Sequence, residues 1–293
     1  RVSEARRPQP ALGRSCLERK AEEKGLIMAQ WSDGQKDALR MAGEWLNKCR
    51  SEGGNLSQPI FRLFGYAGTG KTTLAKHLAE SCNSVAYAAF TGKAALMMQR
   101  NGCHNASTIH GLIYMVNEDD DGKISFILDL EGGAAHVDLI VVDECSMVDA
   151  AIGRDLLSYR KPILVLGDPA QLPPVGGAGF FTEALPDFLL TEIHRQAAEN
   201  PIIHMATELR NQRRLQIGSF GESAVIPRGT LSGDDLVASD QVLVGKNATR
   251  QQFNGRMRRI IGLNDPVPVS GDRLVCLKND KPLGIFNGGL FRM

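Results

Sequence analysis

The sequence lacks the features that would place it in a membrane, secreted or metal-binding class. No apolar run approaches the roughly 20 residues that cross a bilayer, and the N-terminus has no apolar signal-peptide core. We therefore expect a cytoplasmic protein without a membrane partner. The six cysteines are scattered and none forms a C-x-x-C pair, so neither a zinc site nor a disulfide framework is indicated.

Excess charge and internal repetition are missing as well. The formal net charge is only +1, so charge alone does not indicate a nucleic-acid partner, and no repeat of fixed period is present. Hydrophobic residues nevertheless make up 43% of the 293 residues. That composition supports a buried core and a chain of about two domains, at roughly 150 residues each.

The N-terminal segment differs from the rest of the chain. It is charged, has two prolines and lacks a sustained apolar period, so we expect residues 1–29 to be a tail or a translated leader. Glu22-Glu23-Lys24-Gly25 requires purine-rich codons like those of a bacterial ribosome-binding site, two codons before Met28. Met28 is therefore a candidate initiator, and removing the residues before it is expected to leave the melting temperature unchanged.

Short apolar runs alternate with helical stretches from residue 30 onward. Strands are predicted at Ile60–Phe64, Val85–Phe90, Val137–Val142 and Pro162–Leu166. Helices are predicted at Ser32–Trp45, 71–81 and Lys93–Arg100. Strands separated by helices imply an α/β fold with a parallel sheet and helices on both faces. Two further runs, Leu112–Val116 and Ile124–Leu128, flank a polar turn and predict a β-hairpin inserted into this domain.

The character of the sequence changes after Asn211. Residues 211–237 are rich in Gly and Ser and predict an irregular linker. Residues 238–293 predict an incomplete second domain. Within it we expect strands at Val242–Val244, Asp272–Leu277 and Leu283–Phe286, and a basic helix at Arg250–Ile261.

A phosphate-binding loop is the strongest chemical signal. Residues 65–72 match G-x-x-x-x-G-K-[ST] between a predicted strand and a predicted helix. The glycines let backbone N–H groups wrap phosphates, Lys71 is expected to reach the β- and γ-phosphates of ATP, and Thr72 to hold Mg²⁺. The predicted nucleotide-binding residues of this loop are Gly65, Ala67, Gly68, Thr69, Gly70, Lys71, Thr72 and Thr73.

Two later segments supply the remaining groups that ATP hydrolysis needs. Asp143 and Glu144 follow a buried strand, where Asp143 is expected to bind Mg²⁺ and Glu144 to polarise the attacking water. Gln171 follows another apolar strand within GDPAQLPPV. Its neutral amide both donates and accepts hydrogen bonds, so it is suited to sense a γ-phosphate.

The order of these segments resembles the motif series of superfamily 1 DNA helicases, in particular the RecD-like and Dda-like branch. The matching segments are GYAGTGKTT, TGKAA at 91–95, STIH at 107–110, VVDECSM at 141–147, GDPAQLPPV at 167–175 and LTEIHRQ at 190–196. The resemblance implies a RecA-like P-loop domain at 30–210 with a hairpin at about 107–135. It also implies the start of a second RecA-like domain with a β-barrel insertion.

Further site residues follow from the resemblance alone. Gln35 matches the glutamine that recognises adenine, although Ser32 and Gln35 also form a capping-box pattern and both roles are open. Arg195 matches the arginine that reaches the γ-phosphate, with a surface salt bridge as the alternative. The residues that match contacts to single-stranded DNA, each also interpretable as a cap or surface residue, are Thr91, Lys93, Thr108 and His110.

The resemblance implies an ATP-dependent DNA helicase motor that acts on single-stranded DNA and single-strand/duplex junctions, with 5′ to 3′ polarity. The hairpin resembles a duplex-splitting pin, with Phe126 or Tyr114 as its aromatic face or simply as hairpin core. The last two family motifs are absent from the sequence, so little unwinding is expected from these residues alone. The alternative is a P-loop ATPase that binds nucleotide and DNA without unwinding.

Overall fold

The computed structural model describes residues 31–118, 124–171, 179–192, 200–277, 283, 285 and 289–293. Its helices are α1 (Asp33–Glu52), α2 (Lys71–Ala79), α3 (Gly92–Arg100), α4 (Ile109–Ile113), α5 (Ala150–Ser158), α6 (Pro201–Arg210), α7 (Gly233–Ala238) and α8 (Asn247–Ile260). Its strands are β1 (Ile60–Gly65), β2 (Val85–Ala89), β3 (Ser107–Thr108), β4 (Tyr114–Glu118), β5 (Ile124–Leu128), β6 (Leu139–Asp143), β7 (Ile163–Gly167), β8 (Phe188–Leu190), β9 (Gly218–Phe220), β10 (Ser223–Val225), β11 (Arg273–Val275) and β12 (Leu290–Arg292).

The central sheet has six strands in the order β3-β2-β6-β7-β1-β8, and every pairing in it is parallel. The two middle strands, β6 and β7, are apolar runs with almost every residue buried, as expected of strands covered on both faces. The parallel sheet expected from the sequence is therefore confirmed. The edge strands β3 and β8 are additional, because two or three residues are too few to show a strand period.

Side chains that alternate along the strands divide the core into two layers. On one face, α1 and α2 pack against Phe61, Leu139 and Leu164. On the other face, α4 and α5 pack against Ile140 and Val165. Helices thus cover both faces of the sheet, and the RecA-like α/β fold class is confirmed.

The inserted hairpin is present, but its first strand begins two residues later than predicted. Thr108 caps a short helix by accepting a hydrogen bond from the backbone N–H of Gly111 at 3.1 Å, and this helix takes up Leu112 and Ile113. The prediction that the strand starts at Leu112 was wrong because this cap favours a helical turn over a continued apolar strand. The antiparallel pairing then runs from Tyr114 opposite Leu128 outward.

The segments after α6 are short and mostly exposed. The expected irregular linker contains the β9–β10 hairpin and α7, whose N-terminus has a capping box from Ser232 and Asp235. The strand predicted at Val242–Val244 was wrong, since these residues have no regular structure. The basic helix is confirmed as α8 and a strand as β11, whereas the strand predicted at Leu283–Phe286 falls largely outside the described residues.

No helix in the described ranges is both long and apolar enough to cross a membrane.

Tyr159 connects the base of the hairpin to α5. Its buried hydroxyl lies 2.7 Å from the carbonyl oxygen of Asp129 and 3.1 Å from that of Ile113. Tyr159→Phe removes this hydrogen bond without removing the ring, so we expect the free energy of unfolding to fall by about 1 kcal/mol. Urea denaturation measures this change. An unchanged midpoint would mean that the hydroxyl does not help to hold the hairpin.

Candidate active site

The functional candidates converge because all six central strands end at the same edge of the sheet. Across the sheet order, Thr108 ends β3, Thr91 follows β2 and Asp143 ends β6. Asp168 then follows β7, and the phosphate-binding loop follows β1. The carboxyl edge of a parallel sheet is where open α/β folds bind ligands. The ATP candidates thus lie at its centre and the DNA candidates toward one side.

The phosphate-binding loop is held open by its own backbone geometry. Gly68 and Gly70 have φ values of +79° and +84°, a region that favours glycine. The ammonium of Lys71 donates to the carbonyl oxygens of Gly65 at 2.7 Å and Tyr66 at 3.0 Å. Burial lowers the pKa of Lys71, an effect that the nearby carboxylates oppose. The lysine is therefore held inside the loop, at hydrogen-bonding distance from the backbone that would surround a phosphate.

The two loops that would hold a metal-bound nucleotide are directly connected. The hydroxyl of Thr72 donates to one carboxylate oxygen of Asp143 at 3.0 Å, and the N–H of Glu144 donates to the other at 2.8 Å. Glu144 has a left-handed backbone with φ of +52°, a conformation that is costly for a residue with a side chain and that is found often at functional sites. Partial desolvation, followed by the adjacent charge of Asp143, raises the pKa of Glu144.

Gln171 lies in the turn after β7 and contacts the segment that follows β6. Its side-chain amide oxygen accepts a hydrogen bond from the hydroxyl of Ser146 at 3.4 Å. Its backbone N–H donates to the carbonyl oxygen of Asp168 at 3.0 Å. The prolines that follow Gln171, and Arg195 of the predicted site, lie outside the described residues. The segment after β6 and the turn after β7 are therefore hydrogen-bonded to each other through these two side chains.

Gln35 is buried and joins α1 to the phosphate-binding loop. Its amide oxygen accepts from the N–H of Ser32 at 3.2 Å, and its own N–H donates to the hydroxyl of Ser32 at 3.3 Å, which completes the capping box. Its amide nitrogen donates to the carbonyl oxygen of Thr69 at 3.0 Å. Gln35 therefore has the capping role that the sequence left open. It also contacts the phosphate-binding loop, next to which an adenine-binding residue would lie.

Three residues at the centre of the site were missed by sequence reasoning. The guanidinium of Arg210 lies 3.9 Å from the ring centroid of Tyr66 and donates to Asp168 at 3.2 Å. Tyr66 occupies a variable position of the loop motif, and Asp168 lies within GDPAQ, so both stood inside recognised motifs. Arg210, the last residue of α6, carries no motif signal.

A cleft of about 350 Å³ extends from the ATP candidates toward the DNA candidates. Its lining residues are Thr72, Thr91, Lys93, Ala94, Met97, Met98, Asn101, Asp143 and Glu144. The hydroxyl of Thr91 accepts the N–H of Ala94 at 3.2 Å and so caps α3, while Lys93 is exposed. The capping alternative therefore holds for Thr91, as it does for Thr108.

His110 lies in an aromatic cluster that leads to the hairpin. Its ring centroid is 6.5 Å from that of Phe90, 5.4 Å from that of Tyr114 and 6.1 Å from that of Phe126. The hydroxyl of Tyr114 donates to the carboxylate of Asp155, and burial together with this hydrogen bond raises the pKa of the phenol. Tyr114 is thus anchored, whereas 58% of Phe126 is exposed. Of the two aromatic candidates, only Phe126 offers a large open surface.

A protein-family model described as an AAA domain matches residues 56–229, which is more than half of the chain. The chain belongs to the AAA domain family.

Two curated relatives of this chain are named as DNA helicases. The chain is 39% identical over 156 residues to the ATP-dependent RecD2 DNA helicase of Deinococcus radiodurans, a match that covers 49% of the chain and 21% of that protein. It is 33% identical over 198 residues to the ATP-dependent DNA helicase dda of enterobacteria phage T4, covering 61% of the chain and 42% of that protein. The resemblance to the RecD and Dda branch is confirmed, and the chain spans less than half the length of either relative.

A solved structure of two coordinating Pif1 helicases at forked double-stranded DNA is similar in fold. The sequence identity is 19%, the TM-score is 0.50, and the match covers 89% of this chain and 70% of that chain. At this identity the similarity concerns the fold.

The raised pKa of Glu144 predicts a pH-dependent effect on stability. The folded protein binds the proton of the Glu144 carboxyl more tightly than the unfolded chain does, so protonated Glu144 stabilises the fold at low pH. This stabilisation is lost as the pH rises through the folded-state pKa of Glu144. Glu144→Gln carries no such charge and is expected to melt at a higher temperature than the parent near neutral pH.

Melting curves at a series of pH values test this expectation. The difference in melting temperature between Glu144→Gln and the parent should be smallest at pH values below 4.5, the ordinary pKa of glutamate, and should grow above it. A difference that stays constant across this range would mean that the charge of Glu144 is not the cause.

Proposed function

We propose that this AAA domain is the nucleotide-hydrolysing part of an ATP-dependent DNA helicase motor. The observation that carries the proposal is the hydrogen bond from Thr72 to Asp143 beside the phosphate-binding loop, because it unites the two loops that phosphoryl-transfer motors use. The relatives named above are DNA helicases, which supports DNA as the partner. In this proposal, hydrolysis at the central strands drives movement along single-stranded DNA bound next to them.

The donor set supports Mg²⁺ as the metal partner of ATP. A hydroxyl and a carboxylate are hard oxygen ligands of the kind that Mg²⁺ prefers, and those of Thr72 and Asp143 lie 3.0 Å apart. When bound, the ion would neutralise phosphate charge. Glu144 would orient the attacking water, Lys71 would hold the β- and γ-phosphates, and Gln171 would respond to the presence of the γ-phosphate. Gln35 would contact the adenine.

Single-stranded DNA is proposed to cross the side of the sheet edge that carries Thr91, Lys93, Thr108 and His110. Backbone N–H groups at the capped starts of α3 and α4, together with an exposed lysine, suit phosphate oxygens. The nearby aromatic cluster ends in the exposed ring of Phe126, which suits stacking on a base at a single-strand/duplex junction. The cleft that joins Lys93 to Glu144 offers a path by which DNA binding could influence hydrolysis.

The domain division is part of the same proposal. Residues 30–210 would form the first motor domain, 211–237 a connection and 238–293 the beginning of a second motor domain. Arg195 would supply a second positive charge to the γ-phosphate.

The competing function is an ATPase that binds nucleotide and DNA without unwinding. ATP hydrolysis that is stimulated by single-stranded DNA, together with strand separation, would favour the motor over this competing function.

Two substitutions separate nucleotide binding from hydrolysis. Lys71→Ala removes the ammonium that would contact the phosphates, so we expect ATP affinity in calorimetry to fall at least about tenfold. Glu144→Gln keeps a side chain of similar shape but weakens water activation, so we expect ATP affinity to persist and hydrolysis to fall about 100-fold. Circular dichroism checks that both variants fold. Full ATP affinity in the first variant, or full turnover in the second, would remove the corresponding assignment.

Binding to single-stranded DNA is expected to weaken steeply as salt increases, because phosphate contacts release counterions. Lys93→Ala should reduce the slope of log affinity against log salt by about 0.7, the value for one lost contact to a single strand. Lys48→Ala is the matched control, since Lys48 is also exposed but lies near the C-terminus of α1. Fluorescence anisotropy at several salt concentrations measures both slopes. Equal slopes for the two variants would place the DNA elsewhere.

A further inference from the structure

Arg210 differs from an ordinary surface arginine in its surroundings. Only 16% of its side chain is exposed, compared with 66% for Arg213, three residues later. Arg213 pairs with Glu208 of the same helix end at 3.0 Å. Arg210 instead reaches out of α6 and into the loops at the end of the central sheet.

The two partners of Arg210 lie on neighbouring strands. Asp168 follows β7 and is only 5% exposed, so its carboxylate requires a positive partner, which the guanidinium supplies at 3.2 Å. Tyr66 follows β1, and its ring lies 3.9 Å below the guanidinium, a distance suited to a cation–π interaction. Arg210 thus connects the phosphate-binding loop to the turn after β7.

Each partner is itself bonded to a residue proposed to act on the γ-phosphate. The carbonyl oxygen of Tyr66 accepts from the ammonium of Lys71 at 3.0 Å. The carbonyl oxygen of Asp168 accepts from the N–H of Gln171 at 3.0 Å, and its carboxylate accepts from the N–H of Ala170 at 2.9 Å. Arg210 is therefore connected through Tyr66 to Lys71 and through Asp168 to Gln171, the two residues proposed to act on the γ-phosphate.

The hydrogen bonding of Arg210 is also incomplete. Its Nε is buried and has no acceptor within the part of the chain that the structure describes. A buried donor without a partner is costly, so stability alone does not explain why the side chain of Arg210 adopts this position. A helix C-terminus would favour an arginine at this position, but would not require it to reach across Tyr66.

We propose that Arg210 is a positioning residue that sets the spacing between the phosphate-binding loop and the Gln171 turn, and thereby makes nucleotide binding sensitive to the γ-phosphate. The inference deepens the proposed function and rests on it. ADP would depend mainly on the phosphate-binding loop, whereas a triphosphate would also require the turn after β7 at the correct distance. Because Arg210 ends α6, the same contact would transmit the nucleotide state to the segment that leaves the first domain.

The test compares the affinities of ATPγS and ADP, each with Mg²⁺, by calorimetry on the full chain. We expect the parent to prefer ATPγS and Arg210→Gln to reduce that preference about tenfold, as for a residue that couples two sites, while the affinity for ADP changes less than twofold. Arg210→Lys keeps the charge but loses the planar stack on Tyr66, so its preference should fall between the two. Arg213→Ala is the matched control and should retain the parent's preference.

Three outcomes would overturn the inference. The first is a parent-like preference in both Arg210 variants. The second is an equal loss of both nucleotides, which indicates a merely structural role. The third is a parent that binds neither nucleotide, which overturns the proposed function as well and so is distinguishable from the other two. Melting curves show whether Arg210→Gln folds, and if it does not, the ATPγS preference of Arg210→Lys decides.

Discussion

The parallel direction of the central strands is the constraint on which the rest of the structure depends. Parallel pairing brings the carboxyl end of every strand to one edge, so segments that are far apart in sequence meet there. Thr72 and Asp143, which are 71 positions apart in sequence, become neighbours only in this way. The buried apolar strands β6 and β7 occupy the middle of the sheet and place their polar ends at the centre of the site.

Side-chain hydrogen bonds then join these segments in pairs. Thr72 bonds to Asp143, Ser146 bonds to Gln171, and Arg210 bonds to Asp168. All three bonds are partly buried, and a polar group taken out of water is costly when it is unpaired, so each bond stabilises a loop position as well as an individual side chain.

Caps and aromatic rings organise the side of the edge proposed for DNA. Thr91 and Thr108 both cap helices, so their structural roles are compatible with backbone N–H groups that face a phosphate. The hairpin is anchored through Tyr114 and Tyr159, which leaves Phe126 exposed beyond a fixed base. A rigid support and an open aromatic surface suit contact with a base pair better than a mobile loop would.

The features that the sequence determined by itself are those encoded at short, fixed spacing. The loop that contains Lys71, the capping box of Gln35 and the long apolar strands all depend on neighbouring residues, and the structure contains each of them. The motif order indicated a resemblance to the RecD and Dda branch, and the relatives confirm that resemblance.

Only the tertiary structure decided the features that depend on distant partners. Strands β3 and β8 are two and three residues long and exist because a neighbouring strand completes their hydrogen bonds. Val242–Val244 is apolar enough for a strand but has no regular structure in the fold. The position of Arg210 against Tyr66 depends on the course of the chain over more than a hundred residues, and no local pattern encodes such a contact.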